Sequence, residues 1–349
     1  MRIATYNVEW FNSLFDRRGR LMEDQKWSGR HNVTRRDQLE ALAIVFTAMD
    51  ADAVMVIEAP DSSKRRDGEV ALETFAERFG LRTNKAVIGF TNDTQQEIAL
   101  LYDPKKLNAT HDPLGALTGS PAGGPSASGD MSGSPRFDGE FKLDLDIDAA
   151  PEKVSFSKPP LELAVTTSEG AALRMIGVHV KSKAPHGARN PDEVMRISIA
   201  NRRKQAAQCI WLRERVVEHL KAGENLMVLG DFNDGPGLDE YEKLFGRSGV
   251  EIVLGEEGED CLFDPHARMV LGQRVGAMPS TSRFYLQNEG RYLSALLDYI
   301  MVSSGLRAKS PVWRIWHPFD DQVCYQTPEL REALLTASDH FPVTIDIDL

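Results

Sequence analysis

Several polar residues sit directly against apolar runs of strand length. Asn7 ends Ile3-Ala4-Thr5-Tyr6, Glu58 ends Val54-Met55-Val56-Ile57, and His179 lies in Ile176-Gly177-Val178-His179-Val180. Asp231 and Asn233 follow Met227-Val228-Leu229-Gly230, Asp298 follows Leu296-Leu297, and Asp339-His340 precedes Phe341-Pro342-Val343. Glu58, Asp231, Asp298 and Asp339 are hard oxygen donors, joined by the amide oxygens of Asn7 and Asn233. That set suits Mg2+ or Mn2+ better than zinc or copper. His179 and His340 add imidazoles that exchange protons near neutral pH. Together these groups could hydrolyse a phosphate ester: a cation draws charge from a nonbridging oxygen, a carboxylate takes a proton from water, and an imidazole stabilises the crowded phosphorane-like state. Taken singly each has a structural reading, since Gly230-Asp231-Phe232-Asn233-Asp234-Gly235 has the composition of a turn and Ser338-Asp339-His340 could cap a strand.

Positioning these groups requires rigid strands. Apolar runs recur at Ile3 to Tyr6, Ala53 to Ile57, Ile98 to Tyr102, Leu161 to Val165, Leu173 to Val180, Leu226 to Leu229, Leu296 to Val302 and Val343 to Ile347. Between them lie stretches with helical spacing, one through Leu39, Leu42, Ala43 and Phe46, another from Val194 to His219. Strands interleaved with helices predict an α/β domain, and strand ends with their following loops form its usual catalytic rim. Residues 111–138 are dense in Gly, Pro and Ser and read as a flexible loop insertion within one domain spanning 1–349. Just beyond, Asp144, Asp146 and Asp148 alternate with Leu145 and Ile147. A calcium loop is disfavoured because Ala149 and Ser155 stand where its glycine and final glutamate belong, so a strand with an acidic outer face is expected.

The chain has 349 residues, 41 Lys and Arg against 52 Asp and Glu, and a net charge of −11. Bulk positive charge cannot be what brings it to nucleic acid. The 42% hydrophobic composition fills a sizeable core and excludes wholesale disorder. No signal peptide pattern opens the sequence, no run approaches the roughly 20 apolar residues of a membrane span, and Cys209, Cys261 and Cys324 are too few and scattered for a disulfide framework. A cytoplasmic location is the expectation.

Taken together and in this order, these segments resemble the endonuclease/exonuclease/phosphatase superfamily, the phosphoesterases related to deoxyribonuclease I and the abasic-site endonucleases. The matching pieces are Ala4 to Val8, Val56-Ile57-Glu58, Glu97 to Tyr102, Gly177 to Lys183, Gly230 to Asn233, Leu297 to Ile300 and Ser338 to Pro342. The resemblance implies a four-layer α/β sandwich, with two central, mostly antiparallel β-sheets packed face to face and helices outside. It implies a divalent ion, Mg2+ or Mn2+, with Glu58 as principal ligand, Asn7 beside it holding metal or phosphate, and Asp298, Asp339 and Asp231 in the same ligand group. Asp339 would orient His340, Glu97 would pair with His179, Asn233 would hold phosphate, and Asp298 would bind a second ion or orient a neighbour. Whether Asp231 or His340 is the base stays open. Phe232, and Leu297-Asp298-Tyr299, depart from the inositol-phosphate phosphatase pattern. Glu97 leans away from the abasic-site branch, and the sequence looks most like bacterial nuclease-type members.

Two basic islands flank the motifs: Arg17, Arg18, Arg20, Lys26, Arg30, Arg35 and Arg36, then Lys181, Lys183, Arg189, Arg196, Arg202, Arg203 and Lys204. They favour a polyanion, and Lys181 and Lys183, fixed to the His179 strand, are the expected substrate contacts. Trp10, Phe11, Phe15 and Trp27 could stack bases or pack their loop against the sheet. The expected function is metal-dependent hydrolysis of phosphodiester bonds in DNA or RNA with little sequence specificity. The alternatives are hydrolysis of a small phosphoester, whether nucleotide, sugar phosphate or phospholipid head group, and a noncatalytic binding protein on the same fold. No membrane span or obligate protein partner is expected.

Overall fold

A computed structural model describes the chain except residues 93, 95, 119–132, 144–151, 186, 237–244, 259, 273–277 and 287–289. Its strands in chain order are β1 (Arg2–Asn7), β2 (Ala53–Pro60), β3 (Lys85–Ile88), β4 (Gln96–Tyr102), β5 (Leu107–His111), β6 (Phe141–Leu143), β7 (Glu152–Val154), β8 (Leu161–Thr167) and β9 (Ala172–His179). Then follow β10 (Leu226–Asp231), β11 (Ser282–Leu286), β12 (Arg291–Ala295), β13 (Asp298–Val302), β14 (Val312–Ile315) and β15 (Val343–Asp346). One sheet has the order β14-β15-β1-β2-β4-β3 and the other β13-β10-β9-β8-β5. Only β1 with β2 and β9 with β10 run parallel; the other neighbours are antiparallel. Every apolar run expected to be a strand forms one.

Strand alternation sorts the core into three layers. Ile3, Met55, Ile57, Ile98 and Leu100 of the first sheet meet Leu161, Leu163, Met175, Met227, Leu229 and Ile300 of the second. On the other face of the first sheet, Ala4, Tyr6, Val54 and Val56 pack against helices α1 (Arg35–Met49) and α2 (Gly68–Arg78) and the helix Pro328–Ala337. On the other face of the second, Ile176, Val178, Leu226 and Val228 pack under α3 (Pro191–Lys221). Both faces of the strands are therefore apolar, which is why they read as continuous runs. The expected four-layer sandwich with mostly antiparallel central sheets is the fold.

Both long helices announce their starts. Thr34 caps α1 through a reciprocal pair with Asp37, and Asn190 caps α3 ahead of Pro191, each cap worth about 1 kcal/mol. The buried side of α3 carries Gln205 and Gln208 among its apolar residues, so it also delivers polar struts to the loops beneath it.

The Gly/Pro/Ser-rich insertion departs from a free loop where it is described. Phe137 is fully buried, 5.5 Å from the Trp211 ring of α3, and anchors the returning chain. The expected acidic strand at 144–148 lies outside the described residues. β6 and β7, on either side of it, form a short antiparallel pair.

Glycine is required immediately before Asp231. Gly230 has φ +139°, and a Cβ there would fall on the carbonyl oxygen of Val178 in the neighbouring strand. Gly230→Ala should therefore destabilise the protein by about 2 to 3 kcal/mol, measured by denaturant unfolding. A change below about 0.5 kcal/mol would show that the β9–β10 contact is not tight.

Candidate active site

The same alternation that builds the inter-sheet core aims the polar residues. Asn7 shares a face with Ile3, His179 with Leu173 and Met175, Asp231 with Met227 and Leu229, and Asp298 with Ile300 and Val302. All four therefore face the gap between the sheets, at the end where apolar filling stops. Asp298 opens β13 instead of ending a strand, and antiparallel pairing sets it opposite Asp231. The two sheets meet through these groups: the Asn7 amide donates to Asp231 Oδ2 at 3.0 Å.

Glu58 does not simply end its strand. It occupies a β-bulge in β2, where the register with β4 shifts between Ile57 and Ala59, and its φ is +64°. A left-handed bulge residue breaks the strand's alternation and re-aims its side chain, at a cost of about 1–3 kcal/mol in a non-glycine residue. Asn233 has φ +49° and is strained in the same way. Both were singled out by type in the sequence, and both carry backbone strain at the same cleft.

Asp298 and His340 form the best-defined pair. His340 Nδ1 lies 2.7 Å from Asp298 Oδ2, which also accepts from Thr281 Oγ1 at 2.8 Å. Burial opposes charge on His340, but the carboxylates of Asp298, Asp231 and Asp339 outweigh it and hold its pKa well above the usual value. Asp298, not Asp339, is thus the carboxylate that fixes this imidazole. Asp339 is the chain neighbour of His340, but its backbone carbonyl is tied to Arg283 N at 2.7 Å, and its charge acts on Glu9 and Glu58 as well as on His340. Burial first, then the charge of Asp298, pushes Asp231 up to about 7. Asp231, Asp298 and His340 bring ligand-type atoms within 4.8 Å of one another.

The expected Glu97–His179 pair does not form. Glu97 is bound by Asn92 through the backbone N–H at 3.1 Å and the amide at 2.6 Å. It stands one position off Ile98 and Leu100, the residues of β4 that face the inter-sheet gap, and burial raises its pKa to about 7. His179 instead has Lys158 Nζ 3.2 Å from Nδ1, while Asp231 Oδ2 lies 3.6 Å from Nε2. Burial, then the charges of Lys158 and His340, lower its pKa well below the usual value, so His179 is neutral where His340 is charged. The ammonium at Nδ1 suits the tautomer protonated on Nε2.

Lys158 went unremarked in the sequence and is central to the site. It precedes Pro159-Pro160 and β8, is largely buried, and stands 3.8 Å from Glu58 Oε1. A cation directly before a strand was the available signal. Glu9 is the second such residue, two positions after Asn7. It pairs with Arg30, and burial together with the charges of Asp339 and Glu58 raises its pKa to about 7. Burial likewise raises Glu58, against Lys158 and His340, and Gln96 donates to its Oε2 at 2.7 Å. Ser338 Oγ ties the last segment to the first, donating to Asn7 O at 2.7 Å and accepting from the His340 N–H at 3.2 Å.

Asn233 Nδ2 donates to Val180 O at 3.0 Å and approaches Asp231 Oδ2 at 3.2 Å. Gln205 of α3 braces the same turn, donating to Lys181 O at 2.9 Å and Asn233 O at 3.0 Å. Lys181 is half-buried and close enough to Lys158 to depress its pKa. Lys183 is not placed to meet substrate: its Nζ lies 2.5 Å from Asp234, a fully buried carboxylate that Arg202 also approaches at 3.6 Å. The second basic island is in that part structural, because a buried aspartate needs cations. In the first island Arg20 pairs with Asp16 and Arg35 with Asp24. Phe11 and Phe15 pack in the core, whereas Trp10 and Trp27 are exposed.

Two atoms test whether this donor set fits a cation. Asn7 Oδ1 and Asp298 Oδ1 are buried and have no hydrogen-bond partner. Both belong to the cluster that holds Asp231 and His340, and orphaned buried oxygens of this kind are what a hard divalent ion satisfies, so the residues present fit one.

The cluster also fixes a pH signature. Glu9, Glu97, Asp231 and the structural Asp264 have pKa values raised to about 7 by burial, and His340 is raised as well. The folded chain then keeps protons that the unfolded chain has released, so stability falls as pH climbs through these values. Below about pH 6.5 the buried His111, His179 and His266, with lowered pKa values, act in the opposite sense. The net loss should therefore appear as a Tm in chelator that falls between about pH 6.5 and 8. Excess Mg2+ should restore Tm at pH 8 and have little effect at pH 6. A Tm that is flat over this range, or unmoved by the ion, would contradict the cluster described.

The sequence model of the Endonuclease/Exonuclease/phosphatase family matches residues 4–340. No curated protein matches by sequence. Among solved structures the chain is similar to D. rerio TDP2 complexed with a single-strand DNA product, at 10% identity and a TM-score of 0.50, covering 100% of this chain and 99% of that one. It is also similar to the 3' phosphatase NExo from Neisseria bound to a product DNA hairpin, at 17% identity, with full coverage of both chains and a TM-score of 0.49. A third similar structure is an endonuclease/exonuclease/phosphatase from Bacteroides vulgatus, at 14% identity, covering 100% of this chain and 98% of that one with a TM-score of 0.48.

Proposed function

The chain belongs to the endonuclease/exonuclease/phosphatase family of phosphoester hydrolases, and from that membership we propose that it is a divalent-metal-dependent phosphodiesterase cutting nucleic acid with little sequence specificity. It works as one domain over residues 1–349. The observation that carries the reading is the split between the two histidines. His340 is held charged by Asp298, while His179, beside Lys158, is held neutral. One face of the site thus stabilises anionic oxygens, and the other handles a proton.

Glu58, Asn7 Oδ1 and Asp339, with Glu9 beside them, would hold the ion, Mg2+ or Mn2+. When bound, it would supply Lewis-acid polarisation of a phosphate oxygen. His340 Nδ1 is already committed to Asp298 Oδ2, which favours proton chemistry over a second ion for Asp231 and His340 and leaves the partnerless Asp298 Oδ1 to the one ion. Asp231, with a pKa of about 7, takes the proton of the attacking water, and Asn7 and Asn233 orient its oxygens. Imidazolium His340 stabilises the developing negative charge next to it. Lys158, Lys181 and the Nε2–H of His179 offer donors to the nonbridging oxygens. Glu97 positions the loop at Asn92 and touches none of these atoms. Among the described residues no element placed to read base edges in a groove accompanies the site, which favours low sequence specificity.

Purified protein should cleave plasmid DNA, single-stranded DNA or RNA in Mg2+ or Mn2+, and chelation should stop it. Lys158→Ala and His340→Ala should each lower kcat by about 100-fold or more while the fold persists by circular dichroism. Turnover of a monoester or small diester with every polymer intact would replace this reading with a small-phosphoester hydrolase. Full activity of both variants would refute the assignment of the site.

A further inference from the structure

Beside the catalytic segment lies a cleft of about 910 Å³ that shares Glu9 and Asp339 with the proposed ion site and extends beyond it. One wall is the loop carrying Arg30; the other is the hairpin of β11 and β12, with Phe284, Tyr285 and Tyr292. The hairpin is welded to the catalytic segment. Ser282 bridges His340, Phe341 N donates to Thr281 O at 2.6 Å, and the Phe284 ring lies 5.6 Å edge-on to the His340 ring. Whatever this cleft holds is thus adjacent to the reacting atoms.

The hairpin's outward chemistry is unusual for a surface β-ribbon. Tyr285 and Tyr292 pair across the strands with ring centroids 5.1 Å apart, and each is 52% exposed. The Arg283 guanidinium lies 3.5 Å over the Tyr292 ring and makes no ion pair with any carboxylate among the described residues. Two exposed rings, one of them already stacked under a planar cation, make an aromatic and cationic surface that a flat aromatic group with a negative charge nearby can extend. With the ion proposed beside Glu9 and Asp339, the scissile phosphate belongs at that side of the cleft, and the hairpin side is left to a neutral base or sugar.

We propose that this cleft receives an unpaired nucleobase of the nucleotide flanking the scissile phosphate, stacked on Tyr285 and Tyr292, with Arg283 facing the next phosphate. A base inside a duplex has both faces covered and its edge paired, so it can enter only after costly extrusion; an unpaired base enters freely. The cleft therefore selects single strands or frayed ends. The inference rests on the nucleic-acid reading above and deepens it to a substrate class.

The test compares a single-stranded 12-mer of DNA, the same sequence in RNA and the fully paired duplex, each in Mg2+. Wild-type protein should prefer a single strand over the duplex in kcat/KM by about tenfold or more. Tyr285→Ala with Tyr292→Ala should remove about that factor on whichever single strand is cleaved, chiefly through KM, and leave the duplex rate within about twofold. The Tyr285→Phe with Tyr292→Phe protein should retain the preference, because the rings remain. An equal loss on single strand and duplex would reduce the hairpin to a structural role and overturn the inference. So would an unchanged preference in the alanine variant, with the nuclease reading left standing. Failure of the wild-type protein to cleave any polymer would remove the nuclease reading and the inference together.

Discussion

The site is organised around a charge imbalance. Glu9, Glu58, Asp231, Asp298 and Asp339 converge from the first strand, the second, the tenth, the thirteenth and the segment before the last, and burial raises the pKa values of the first three. Lys158, Arg30 and His340 offset part of that density. Buried oxygens of Asn7 and Asp298 still lack partners. A packed interior does not gather carboxylates in this way for stability, because each ionised group loses hydration and repels its neighbours. The proposed cation, binding only the folded chain, would supply what is missing, and the fold would then carry strain and repulsion in the service of binding it.

The two-sheet architecture makes such a gathering possible. Alternation along each strand commits one face to the inter-sheet core, and wherever the apolar sequence ends, the next residue of the same parity points into the same gap. Asn7, His179, Asp231 and Asp298 obey this rule. Glu58 obeys a different one, since it needs a bulge with left-handed backbone to reach the cleft. Gly177 and Gly230 let the layers and strands approach closely enough for these side chains to touch. Catalytic geometry and core packing are thus set by the same strands, so a change in strand register would displace every group at once.

Much of this was legible in the sequence because apolar runs and their polar endings are local signals. The strands from Ile3, Ala53, Leu161, Leu173, Leu226 and Val343, and the α1 and α3 helices, form where periodicity put them. Partner choice was not legible, because it is decided between residues far apart in the chain. Asp339 precedes His340, yet the imidazole turns to Asp298, 42 positions away. Glu97 and His179 have the right chemistry for each other, but Asn92 and Lys158 are the partners that geometry supplies. Lys183 looked like a substrate contact by spacing and is a counterion for buried Asp234. Lys158 and Glu9 escaped notice because an isolated charge in a sequence is ordinarily a solvated one, and only burial distinguishes them.

Anomalous scattering from a crystal soaked in Mn2+ tests the central claim most directly. A single strong peak within coordination distance, about 2.0 to 2.4 Å, of Glu58 and Asn7 oxygens, with Asp339 in the same shell, is the expected result. A peak elsewhere, or none at saturating Mn2+ and pH 8, would mean that these carboxylates gather for some other reason, and the hydrolytic account would fall.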